Sequence, residues 1–105
     1  MIGNLLTDLP ADLEEEQFCT LLQRPGVRLE RIVSFGHATP PGEWLSQTHD
    51  EWVLLTKGAA TLTLEGEAPT ALRAGDHVLI PAGRRHRVDW SEPKAPTVWL
   101  ALHVG

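Results

Sequence analysis

Gly75-Asp76-His77-Val78-Leu79-Ile80-Pro81-Ala82-Gly83-Arg84-Arg85-His86 decides the fold. Gly75 permits the backbone of a tight turn. Asp76 to Pro81 reads as a short strand entered through that turn. Pro81 ends it where no ladder donor is needed. Gly83 lets the chain reverse, so His86 starts the next strand with its ring facing inward.

The same grammar of short strands and tight turns extends in both directions. Arg87 to Trp90 and Thr97 to Val104 are β-rich on the C-terminal side. Upstream, Ala60, Leu62 and Leu64 alternate with Thr61, Thr63 and Glu65, the period of a half-buried strand. Trp52 to Thr56 is a short apolar run ending at Lys57–Gly58, and Thr70 to Arg73 is a brief strand. Val27 to Phe35 is β-rich, but its alternation slips between Leu29 and Ile32, as at a bulge or in a strand covered on both faces. Many short strands separated by Gly and Pro predict an all-β antiparallel sandwich or barrel.

The first 26 residues read differently. Asp12 and Glu15 form a capping-box pattern, and Glu14, Glu15 and Glu16 suit the first turn of a helix. Leu13, Phe18, Leu21 and Leu22 give a partial apolar face, and Pro25–Gly26 is a stop. This predicts a short N-terminal helix over residues 1–26, packed on a barrel domain over residues 27–105. Cys19 then reads as a packing residue of that helix.

Composition bounds the function. At 105 residues the chain is one domain. A net charge of −5 argues against nucleic acid as a partner, which needs clustered Lys and Arg. The local cluster Arg84, Arg85 and Arg87 around His86 reads either as a solvated turn or as a basic rim attracting an anionic ligand. One cysteine allows no intrachain disulfide and no zinc finger. Neither a leader pattern nor an apolar run of membrane-spanning length is present, so no membrane partner is expected and a cytoplasmic location is predicted.

The opening stretch matches the second motif of the cupin superfamily: Gly, five residues, Pro, one residue, Gly, two residues, His. The first motif is half present. Glu51 is followed by six residues and then Gly58, as the family requires, and Gly42 stands upstream. Aligning on Glu51 puts Leu45 and Gln47 where two histidines usually sit. The chain therefore resembles a small, stand-alone bacterial cupin that has lost its His pair. The resemblance implies a cupin double-stranded jelly-roll β-barrel holding a ligand in its interior. In metal-binding cupins the motif histidines and Glu hold iron, manganese, nickel or zinc. Family activities include isomerases, lyases and dioxygenases, along with proteins that only bind.

Parity offers a substitute ligand. Along a continuous strand Leu45, Gln47, His49 and Glu51 share one face. His49, Glu51 and His86, with Gln47 as a weaker oxygen donor, then make a two-His-one-carboxylate set suited to a divalent metal. Glu51 would also move a proton. On the other reading a bulge turns His49 away, and Gln47, Glu51 and His86 hydrogen-bond an organic ligand directly. Trp44, Leu45, Arg84 and His103 are candidates for the pocket wall or mouth. The expected ligand is a compact polar or anionic small molecule, bound by a metal-dependent enzyme or by a non-catalytic sensing module. The last strand, apolar on both faces at several positions, points to a homodimer.

Overall fold

The computed structural model describes residues 2–105, and among them every regular element is a strand. In chain order they are β1 (Gln17–Arg24), β2 (Val27–Ser34), β3 (Asp50–Lys57), β4 (Ala59–Leu64), β5 (Thr70–Arg73), β6 (His77–Ile80), β7 (His86–Ser91) and β8 (Thr97–Val104). They form a five-stranded sheet in the order β1-β2-β8-β3-β6 and a three-stranded sheet in the order β5-β4-β7. All pairings are antiparallel. The arrangement is that of a jelly roll, but the two sheets do not join into one closed barrel.

The expected N-terminal helix is not present. Gln17–Arg24 is the edge strand β1, laid along β2 from Gln17↔Val33 to Arg24↔Val27 with one bulge at Leu21. A helix this short is marginal in water and needs an apolar groove to bury its stripe. The ladder with β2 satisfies the backbone groups instead. Pro25–Gly26, read as a helix stop, is the two-residue turn of a β-hairpin, with Gly26 at φ +74°. All eight residues of β1 are exposed, Cys19 included. Cys19 is therefore not a packing residue.

The core lies between the sheets. Val53, Leu55, Ala60, Ile80 and Trp99 form its buried centre, and Ile32, Leu64, Leu72, Val78 and Val88 pack around them. β8 is the middle strand of the larger sheet, with β2 on one side and β3 on the other. Val98, Trp99 and Ala101 are buried there, which accounts for much of that strand's apolar character within a single chain. Among the described residues no helix is long and apolar enough to cross a membrane.

Gly58 is the single residue between β3 and β4, where the chain passes from one sheet to the other. Its φ is +95°, and a Cβ there would lie 2.7 Å from the Cα of Thr97. Both the conformation and the contact demand glycine. Gly66 has a similar φ of +88° but open space around it. Gly66→Ala is therefore predicted to cost only the conformational strain, about 1–3 kcal/mol. Gly58→Ala is predicted to cost clearly more, because the backbone of β8 must also move. Urea denaturation of both variants checks the order.

Candidate functional site

The inward faces of β2, β3 and β8 carry the polar residues of the interior. On β2 these are Arg28 and Glu30; on β3, Glu51; on β8, His103. Cross-strand register sets Glu51 opposite His103 and Arg28 opposite His103. Glu30, Glu51, His86 and His103 are each at most 8% exposed. A charged or polar group so deeply placed must be partnered or it destabilises the fold.

Glu30 and His103 are partners: Oε1 of Glu30 lies 2.9 Å from Nε2 of His103. Nδ1 of His103 lies 2.8 Å from Nε2 of His49. A carboxylate only accepts, so Nε2 of His103 donates to Glu30. In the neutral ring Nδ1 then accepts, and Nε2–H of His49 donates to it. The result is a directed line, His49 to His103 to Glu30.

Glu51 stands differently. Its Oε1 is 3.8 Å from Nε2 of His86 and its Oε2 is 3.7 Å from Nε2 of His103. Both separations exceed a hydrogen bond. Nδ1 of His86 is 3.0 Å from the carbonyl of Arg84 and donates to it. In the neutral ring Nε2 of His86 is therefore an acceptor turned toward Glu51. Two acceptors face each other across a gap that neither can fill.

Glu51 and His86 line a cavity of about 150 Å³ between the sheets. Its wall is mostly apolar, with Phe18, Ile32, Leu45, Val53, Leu62, Ile80, Val88 and Trp99. Its polar lining is Glu16, Glu30, Gln47, Glu51 and His86, with no Lys or Arg.

Leu45, Gln47, Glu51 and His86 are thus together at this cavity, as the alignment on Glu51 implies. His49 is not with them. The chain from Leu45 to Glu51 is not one strand. Leu45 bridges His86 in both directions, and the carbonyl of Gln47 accepts from the amide of Gly83. The chain then bends at Thr48 and His49 before β3 begins. Parity does not carry across that bend, and His49 turns to His103 and to a second pocket, which His103 also lines. Arg84 is held outside by Glu67, at 2.7 Å, and by the carbonyl of Glu65. Arg85 pairs with Glu65 at 2.7 Å. The basic rim is largely neutralised by these pairs. Trp44 lies against the guanidinium groups of Arg85 and Arg87 and is not in the cavity wall.

Sequence reading missed Glu30 and Glu16. Glu30 had a visible mark. It is an inward-facing acid in a β-rich run, and it sits where the apolar alternation slips. Glu16, just before β1, bonds Ser34 through its carboxylate and had none, because the segment read as helix.

The residues present do not fit a resident transition metal. Leu45 occupies one ligand place, Gln47 offers a neutral amide, and His49 is engaged elsewhere, leaving His86 and Glu51 as the two strong donors of the expected set, while Glu30 is held by His103 and Glu16 by Ser34. Among the described residues no group of three or more His, Cys, Asp or Glu is arranged to hold a metal ion.

The family model for the cupin domain matches residues 33–103. The chain belongs to the cupin family. A solved structure from Ralstonia eutropha JMP134, provisionally described as a mannose-6-phosphate isomerase, is 46% identical. It superposes with a TM-score of 0.96, over 99% of this chain and 97% of that one. A cupin superfamily protein from Desulfitobacterium hafniense DCB-2 has a TM-score of 0.74 at 16% identity, covering 91% of this chain and 83% of its own. A DMSP lyase from Ruegeria pomeroyi DSS-3 has a TM-score of 0.73 at 21% identity, covering all of this chain and 55% of its own. The last two share the fold alone. No curated protein matches the chain.

Two outcomes follow from this geometry. His103→Ala leaves Glu30 buried without its donor and is predicted to destabilise by about 1–3 kcal/mol in a denaturant titration. Elemental analysis of protein purified without an affinity tag is predicted to find far less than one metal per chain, with no difference in His86→Ala.

Proposed function

We propose that this cupin binds a compact, mainly apolar small molecule carrying a cationic or hydrogen-bond-donating group in the cavity between its sheets. One observation carries the reading. The acceptors of Glu51 and His86 face each other across 3.8 Å, and the cavity holds two further carboxylates and no cationic side chain. From beside the gap an ammonium group can donate to both acceptors and a hydroxyl to one of them, and a charge-assisted bond to a buried carboxylate is strong. An anion would meet Glu16, Glu30 and Glu51 with nothing to offset the repulsion. The apolar wall suits the rest of such a ligand, as in most small-molecule sites. The charge of the cavity thus favours a donor over the anionic ligand that the arginine cluster suggested.

A second reading is favoured by the Ralstonia relative and by the same pair of side chains. Glu51 could take a proton from the hydroxyl-bearing carbon of a hydroxycarbonyl compound and return it to the neighbouring carbon, while His86, carrying a second proton on Nε2, donates to the carbonyl oxygen and recovers a proton from the adjacent hydroxyl. This would make the protein an isomerase rather than a binder.

Three ligands with one carbon skeleton separate these readings: an alkylamine, the matching alcohol and the matching carboxylate. Trp99 lines the cavity and reports binding by its fluorescence. The amine is predicted to bind best and the carboxylate worst. Glu51→Gln is predicted to weaken the amine tenfold or more, as expected for a lost bond worth about 1.5–3 kcal/mol. Preference for the carboxylate would overturn the proposal. Interconversion of aldose and ketose phosphates that Glu51→Gln abolishes would establish the second reading.

A further inference from the structure

We propose a second ligand site, for a small oxyanion such as a phosphate group, at the end of the larger sheet beyond His103. The β1–β2 hairpin, the end of β8 and the start of β3 converge there around a cavity of about 200 Å³. Its charged and titratable side chains are Arg24, Arg28, His49 and His103, no carboxylate side chain contributes to it, and Gly105, the last residue of the sequence, also lies in its wall. This is the reverse of the central cavity, which has carboxylates and no arginine.

The arginines are available. Arg24 spends one Nη1 bond on the neighbouring carbonyl of Gln23, at 2.8 Å, and forms no ion pair among the described residues. Among the described residues Arg28 has only a distant acid, with Nη2 3.9 Å from Oε1 of Glu30, and its side chain is 43% exposed. That oxygen of Glu30 already accepts from His103 at 2.9 Å. The exposed terminal nitrogens of Arg28 can donate to a ligand in this cavity, and guanidinium bonds to an oxyanion are charge-assisted. Two guanidinium groups at one cavity suit the several oxygens of a phosphate.

The site is independent of the proposed use of the central cavity. The two cavities share no lining residue. They meet where His103, in the wall of one, bonds Glu30, in the wall of the other.

Inorganic phosphate is the probe. It is titrated into the full chain in a buffer free of other oxyanions, at constant ionic strength, by calorimetry and by the imidazole NMR signals. Saturable binding with a Kd of about 1 mM or below is expected, with shifts at His49 and His103. Arg28→Met is expected to weaken it at least tenfold. Arg24→Met, at an exposed strand end, is the second variant and is expected to weaken it severalfold even if Arg28→Met does not fold. Absence of saturable binding, or binding unchanged in both arginine variants, overturns the site. So does binding lost in His86→Ala with the arginine variants unaffected, because that places phosphate in the central cavity. That last outcome would also count against the proposed function, whereas the first two would leave it standing.

Discussion

The hydrogen bond between Glu30 and His103 is the contact on which the interior depends. Each group is nearly sealed from water, and each sits on a strand of the larger sheet. Without the imidazole, the carboxylate would face an apolar wall alone, and such a group costs several kcal/mol or changes its protonation. With it, a polar layer crosses the sheet from β2 to β8 and on to His49. That layer divides the interior. On one side acceptors predominate, and on the other donors do. The division follows from register, because Arg28 and Glu51 both stand opposite His103 on its two neighbouring strands.

The surrounding fold holds this layer in place by rigid means. β8 is locked between two neighbours along most of its length, and Gly58 presses the sheet-to-sheet crossing onto Thr97 at its start. His86 is fixed from two directions. Its backbone bridges Leu45, and its ring donates to the carbonyl of Arg84. The His86 position of the second cupin motif is therefore kept even though the His pair of the first motif is missing. What remains is a site with cupin architecture and a different donor set.

The strands from β2 to β8 were legible because each has local marks: alternation in β4, Gly75 and Pro81 around β6, and the motif spacing that sets His86. The N-terminal strand was not. Its capping pattern and partial apolar stripe are real local features, but Pro25–Gly26 is compatible with a helix stop as well as with the hairpin turn that lays β1 on β2, and the ladder overrides the helical marks. The cavity was legible in Gln47, Glu51 and His86. His49 was misplaced because parity assumes one continuous strand, and the chain is tied to β7 at Leu45 and to β8 only from Asp50 onward. The sign of the cavity was hidden for a similar reason. Arg84, Arg85 and Arg87 flank His86 in sequence, yet their partners Glu67, Glu65 and Asp89 lie outside the cavity.

An ordered line of hydrogen bonds separates two cavities of opposite character, and that line has a direct spectroscopic signature. Long-range proton–nitrogen NMR of the histidine side chains distinguishes which ring nitrogen carries hydrogen. The account predicts a fixed Nε2–H tautomer for His103 and for His49, and Nδ1–H for His86. Rapid averaging between tautomers at His103, or an Nδ1–H form there, would mean that Glu30 is not its acceptor, and the division of the interior described here would be wrong.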